Sequence, residues 1–119
     1  MGAREIPRVH RYDREELYMQ NKLHTTETDQ LFEAITLLEN IEDCYRFFED
    51  ICTINEIQSF VQRFQVAKML RENKIYTQIT KETGASTATI SRVKRTLDYG
   101  ADGYDLVLER LKKKDKNEG

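Results

Sequence analysis

The chain has 119 residues, 39% of them hydrophobic and 34% charged, which suits one domain of amphipathic helices around a thin core. Its formal net charge of −2 looks wrong for a nucleic-acid-binding protein until the charges are followed along the chain. No apolar run approaches the roughly 18 residues of a membrane span, and residues 1–20 are charged throughout, unlike a signal peptide. We therefore expect a cytoplasmic protein without a membrane partner.

Residues 1–24 are expected to form a polar N-terminal leader or arm. Four arginines would suit an arm that touches DNA, but four acidic residues nearly cancel their charge, which favours a solvated leader. His10 and His24 have no carboxylate at metal-ligand spacing, so the segment predicts no metal site.

Residues 25–112 repeat apolar side chains at helical spacing, and no stretch alternates long enough to predict a strand. The first helix is expected after Thr26 as its N-cap, and the second begins near Ile41. Thr53 and Glu56 have the spacing of a capping box, which opens the longest helix. That helix carries an apolar stripe: Ile57, Phe60, Val61, Phe64 and Leu70. The pattern predicts an all-α domain.

Residues 75–97 have the pattern of a helix-turn-helix. The stretch 83–95 contains no acidic residue, and Gly84 can supply a left-handed turn at little steric cost. The two helices are expected over about 75–83 and 87–97, with Thr80 where they approach each other. Ile90 and Val93 share a face and should anchor the second helix.

The rest of that second helix is available to a partner. A helix-turn-helix places the start of its second helix in the DNA major groove, with basic residues near the phosphates. The expected DNA-binding residues are Thr87, Ala88, Thr89, Ser91, Arg92, Lys94 and Arg95. The alternative is an ordinary helical hairpin with a solvated basic face.

A last helix is expected after the break at residues 99–103, followed by a frayed, charged C-terminal tail over 113–119. The charges are segregated along the chain: residues 25–58 hold nine acids against Arg46 alone, whereas residues 71–97 hold six bases against two acids. The basic part can therefore meet phosphates while the acidic part faces elsewhere.

The first two helices carry more apolar surface than so small a domain can cover. A second copy of the chain is the simplest cover, and two-fold dimers are what helix-turn-helix proteins use to reach successive major grooves. The alternative is a compact monomeric bundle. Cys44 and Cys52 lie in this apolar region and are expected to be buried, reduced thiols rather than a metal site or a disulfide.

The chain resembles the Trp repressor superfamily, and within it the YerC/YecD group. The resemblance runs from about Leu31 to Leu111 and is carried by residues 44–50 (CYRFFED), 62–71 (QRFQVAKMLR) and 83–95 (TGASTATISRVKR). It implies a six-helix fold with a helix-turn-helix, an intertwined homodimer and a bacterial DNA-binding regulator.

The resemblance also raises the question of a tryptophan corepressor. It implies effector contacts at Arg63, Arg92 and Thr96, although the two arginines also suit carboxylate or phosphate partners. Tryptophan-binding members have glycine after the second arginine, where the indole needs space. Val93 stands there instead, and its branched side chain should project into or beside that slot. We therefore expect no tryptophan cofactor.

Two functions compete at this point. No phosphate loop, nucleophile elbow or paired-carboxylate site is present in the sequence, so an enzyme is not expected. The favoured hypothesis is a homodimeric, sequence-specific transcriptional regulator that binds double-stranded DNA, acting as a repressor. The rival is a protein–protein interaction module of the same fold, which would use the acidic surface of residues 39–50.

Overall fold

The computed structural model describes residues 22–118, and no strand occurs among them. Most of the expected leader, residues 1–21 with His10, and Gly119 lie outside the described residues. Six helices are defined, and they confirm the all-α, six-helix expectation. Their bounds are α1 Thr26–Ile35, α2 Ile41–Ile51, α3 Ile54–Arg71, α4 Tyr76–Thr83, α5 Thr87–Tyr99 and α6 Gly103–Glu118.

The chain divides into two compact units, with the boundary between Phe47 and Phe48. In the C-terminal unit, α3 packs against α4, α5 and α6, and α4 also contacts α5. Because α3 touches all three of the following helices, it is the scaffold on which this unit is built. The buried core is the set Val66, Ala67, Met69, Ile79, Ala85, Ile90, Val93 and Leu97.

The core face of α3 differs from the stripe expected from the sequence. Val66, Ala67 and Met69 are buried, whereas Phe60 and Val61 are 48% and 54% exposed. An 18-residue helix with apolar residues on several sides can bury any of them, and periodicity does not say which side its neighbours cover. Of the expected stripe, Phe60 and Val61 are therefore exposed, whereas Leu70 packs against the core.

Threonine caps begin α1 and α3. The capping box of α3 is confirmed, since Thr53 N–H donates to Glu56 Oε1 at 2.8 Å and Glu56 N–H donates to Thr53 Oγ1 at 3.1 Å. For α1 the cap is Thr25, whose hydroxyl accepts from Thr28 N–H, rather than the expected Thr26. The error of one residue arises because either adjacent threonine can cap.

The last helix is longer than expected. Residues 113–118, predicted to be a frayed tail, continue α6 to Glu118. Residues 104–118 contain no glycine or proline and are rich in good helix formers, so no residue among them favours an earlier end of the helix. Arg71 ties α6 to α3 through two hydrogen bonds to the Asp105 carboxylate, at 2.8 and 2.9 Å.

The N-terminal helices bury very little. Neither α1 nor α2 contains a buried residue. Leu37, between the two helices, is 74% exposed, and Ile41, the first residue of α2, is 76% exposed. Cys44 is exposed and Cys52 half-buried, so the expectation of buried thiols is wrong for the single chain, although both are free. No helix in residues 22–118 is long and apolar enough to cross a membrane.

Replacing Gly84 with alanine tests the turn that positions α5. Gly84 has φ of 75°, and a Cβ there would meet no atom within 4 Å, so the cost is backbone strain alone. We expect the free energy of unfolding to fall by about 1–2 kcal/mol, measured by urea denaturation at fixed protein concentration.

The matched control is Gly103→Ala. A Cβ at Gly103 also meets no atom within 4 Å, but its backbone is not left-handed. It should leave stability unchanged or raise it by at most about 1 kcal/mol. Equal losses in the two variants would contradict the assignment of strain to the Gly84 turn.

Candidate nucleic-acid interface

The turn between α4 and α5 has the geometry expected of a helix-turn-helix. Gly84 is left-handed, and its N–H donates to the Thr80 carbonyl at 2.8 Å, which ends α4. Ala85 is buried, and its N–H donates to Thr83 Oγ1 at 3.1 Å. The turn is therefore held by its own hydrogen bonds and by a buried methyl group.

Thr80 does not occupy the close approach between the two helices. It is exposed, so the expectation that it fills this position is wrong. The buried small residue of the motif is Ala85, in the turn itself, while Ile79 supplies the inward side chain of α4. The helix-turn-helix spacing predicts a small residue at position 80, but the path of the backbone through the turn decides which side chain is buried.

Helix α5 begins at a serine cap. The Ser86 hydroxyl accepts from Thr89 N–H at 3.1 Å, and the two hydroxyls lie 3.1 Å apart. Thr89 is half-buried and takes part in this cap, so of the expected DNA-binding residues it is the least open. Thr87 and Ala88, in the first turn, are exposed.

The two faces of α5 are sharply different. Ile90, Val93 and Leu97 are buried, which confirms that the first two anchor the helix. Six of the seven expected DNA-binding residues are exposed: Thr87, Ala88, Ser91, Arg92, Lys94 and Arg95. The structure thus brings short side chains to the start of one exposed face and three basic ones to its continuation.

One acidic residue lies on the same helix. Lys94 Nζ is 3.3 Å from Asp98 Oδ2, four residues further along α5. Asp98 is the only acid in α5, and it stands in the last turn of the helix. The acid-free stretch that indicates the motif ends at residue 95, so the sequence pattern gave no reason to assign Asp98 a role.

The three residues implied as effector contacts each have a local partner or neighbour. The Arg63 guanidinium lies 5.4 Å from the centroid of the Phe60 ring, on the same helix. The Thr96 hydroxyl donates to the Arg92 carbonyl at 3.1 Å, while the Arg92 side chain is exposed. These contacts give Arg63 and Thr96 structural roles within their own helices. A ligand role for Arg63, Arg92 and Thr96 stays a prediction.

Val93 lies on the inward face of α5, as its spacing of three residues from Ile90 predicts. Its side chain is 2% exposed and belongs to the buried core. Whether this side chain fills a tryptophan slot stays a prediction. A valine here contributes to the packing of α5.

Two polar side chains that the sequence analysis did not identify fix the site to its scaffold. Gln62 Nε2 donates to the Thr83 carbonyl at 3.1 Å, which joins α3 to the end of α4. Arg71 Nη2 donates to the Leu97 carbonyl at 3.4 Å, near the end of α5. The Asp105 hydrogen bonds raise the pKa of Arg71, with smaller contributions from Asp98 and Asp102. Such long-range bonds leave no periodic signal in the sequence.

No cluster of metal-ligating side chains occurs in residues 22–118. The grooves of the C-terminal unit include an open cleft beside α5, lined in part by Arg71, Lys74, Lys94 and Asp98. This cleft combines three bases with one acid and adjoins the exposed face of α5. Its excess of basic side chains suits contact with anions.

Comparison with known proteins identifies the family. The chain is 61% identical over 92 residues to the uncharacterized protein YerC of Bacillus subtilis strain 168, which covers 77% of this chain and 88% of that one. A solved TrpR-like protein from Eubacterium eligens is 63% identical, with a TM-score of 0.75 over 76% of this chain and 94% of its own. A solved chain from Staphylococcus aureus is 55% identical, with a TM-score of 0.75 over 77% and 92%. The sequence model of the Trp repressor protein matches residues 26–112, and the chain belongs to the Trp repressor family.

Proposed function

We propose that the protein is a transcriptional regulator that binds double-stranded DNA through α5 as a homodimer and represses by occupying its operator. The observation that carries this proposal is the exposed face of α5. That face begins with short side chains on a rigid turn and continues with basic ones, while the opposite face is buried. Membership of the Trp repressor family supports a DNA-binding role of this kind.

Each part of this face has a distinct task. Thr87, Ala88 and Ser91 are short enough for the helix to enter the major groove and for base edges to be met directly or through water. Lys94 and Arg95 lie beyond the first turn, where long side chains reach phosphates flanking the groove. The regulator therefore acts by binding alone, without a catalytic step.

The homodimer is supported by the uncovered apolar surface of the N-terminal helices. Phe32 on α1 is 50% exposed, and Phe60 and Val61 on α3 are 48% and 54% exposed. Single exposed apolar residues are ordinary, but helices without one buried side chain are not stable units by themselves. Two copies would also present two α5 helices to successive major grooves.

The interaction-module alternative rests on the acidic surface of residues 39–50. Glu39, Glu42, Glu49 and Asp50 are exposed there. Selection of bound fragments from genomic DNA separates the two functions, since a two-fold operator supports regulation. A stoichiometric protein partner, with no DNA shift at moderate salt, would instead support the module.

Dimerisation is tested by charging the apolar face of α3. We expect the protein to be a dimer of the 14.1 kDa chain, with Leu31, Phe32, Ile35, Phe47, Phe48 and the helix from Ile54 in its interface. Such interfaces commonly bury more than about 2,000 Å². Val61→Asp should give monomer by light scattering at micromolar concentration, because a buried unpaired carboxylate is costly. Asn117→Asp, an exposed change on α6, should leave the dimer intact, and a monomeric parent protein would contradict the prediction.

The phosphate-contacting role of Lys94 and Arg95 is tested by salt titration. Replacing either with alanine should weaken binding to all duplexes and flatten the salt dependence by roughly one unit of slope per lost contact. Thr87 and Ala88 substitutions should instead change sequence preference, by about 1–3 kcal/mol at the base pairs touched. The readout is fluorescence anisotropy with operator and random duplexes.

The matched control is Lys112→Ala, which removes the same charge from α6. It should keep the slope of the parent protein if the contacts are specific to α5. If Lys94→Ala and Arg95→Ala both leave the affinity and the salt slope unchanged, α5 does not contact the DNA.

Tryptophan should not change the DNA affinity. Val93 is part of the packed core, so the position held by glycine in tryptophan-binding members is filled here. A ligand alters DNA binding only if it binds the free and DNA-bound protein differently. Calorimetric titration should show no micromolar tryptophan binding, and a tightening on DNA of about tenfold would refute the expectation.

A further inference from the structure

We propose that Asp98 is a built-in competitor of the DNA phosphates, which pairs with Lys94 in the free protein and thereby weakens binding to every DNA sequence. This inference rests on the proposed DNA-binding function. It assigns a role to the one acidic residue of α5, whose carboxylate lies 3.3 Å from the Lys94 ammonium. That ammonium is the group expected to meet a phosphate.

A purely stabilising role accounts poorly for an acid at this position. The C-terminal turn of a helix carries a partial negative charge, so an aspartate in it is unfavourable, and α5 has no base in that turn. The order of the pair, with lysine preceding the acid by four residues, is also the weaker of the two orientations. Both side chains are substantially exposed, and exposed pairs contribute little to stability.

The same carboxylate lies among other bases. Lys74 and Arg71 line the cleft that Lys94 and Asp98 also line. Arg71 is already bound by both oxygens of Asp105 and donates to the Leu97 carbonyl. Because Asp105 already binds Arg71, the salt-bridge partner of Asp98 at this edge is Lys94.

The consequence for binding follows from counterion release. A lysine that meets a phosphate releases a cation from the DNA, and this release drives association. When Lys94 leaves Asp98 for a phosphate, the attraction between the ammonium and the carboxylate is lost, and this loss offsets part of the gain from the phosphate contact. The freed carboxylate also repels the phosphate. Affinity falls by the same factor for operator and random DNA, because neither effect involves a base.

The experiment is a double-mutant cycle in the full-length protein: parent, Asp98→Asn, Lys94→Ala and the double variant. Asparagine keeps the shape of aspartate without its charge. We expect Asp98→Asn to bind random duplex about threefold to tenfold more tightly near 50 mM salt, with a steeper salt dependence than the parent protein. In the Lys94→Ala background the same change should give a much smaller gain. Asp98→Glu, which keeps the charge at pairing distance, should bind like the parent.

Asp115→Asn on α6 is the control for net charge and should leave the affinity near that of the parent. Circular dichroism should show that each variant is folded. If the parent binds its operator but Asp98→Asn gains nothing, the competitor role is overturned and the DNA-binding function stands. An equal gain with and without Lys94 would also overturn the pairing. If no variant, the parent included, binds any duplex, the proposed function fails and this inference fails with it.

Discussion

The placement of α5 depends on a buried contact between three helices. Val66 and Ala67 on α3, Ile79 on α4 and Ile90 on α5 are all fully buried in one cluster. A core this small leaves few ways to seat α5, because each close-packed side chain excludes the others from alternative positions. Gln62 and Arg71 reinforce the arrangement from outside by binding the Thr83 and Leu97 carbonyls. Because Ile90, Val93 and Leu97 are buried against this core, the opposite face of α5 is the one left exposed.

The same core leaves the N-terminal helices without buried side chains. Within residues 22–118, the buried hydrophobic residues all fall in the range from Val66 to Leu97, whereas α1 and α2 have none. Hydrophobic burial is the main favourable term in folding, and short helices without it are marginal in water. Dimerisation would therefore complete the fold as well as pair the two α5 helices. Folding, assembly and DNA binding become one coupled equilibrium under the proposed function.

The sequence predicted those features that depend on a few neighbouring residues. Gly84 required a left-handed turn, Thr53 and Glu56 satisfied each other's backbone groups, and Ile90 with Val93 shared a face. Features that depend on distant segments were not predictable in this way. Periodicity could not tell that α3 buries Val66 rather than Val61, nor that Ala85 rather than Thr80 is enclosed in the turn.

Val93 also bears on how such a regulator could respond to its surroundings. A ligand that acts on DNA binding must have two states of the protein to distinguish. Opening a tryptophan slot at this position would remove a buried side chain from a core of eight residues, and cavities of this kind cost about 1 kcal/mol or more per lost methylene group. Under the proposed function, occupancy of an operator can instead follow the concentration of the protein, because two chains would have to associate to span two half-sites. Under this proposal, the steepness of the response to protein concentration arises from dimerisation. The Lys94–Asp98 pair would set the affinity with which the dimer binds DNA.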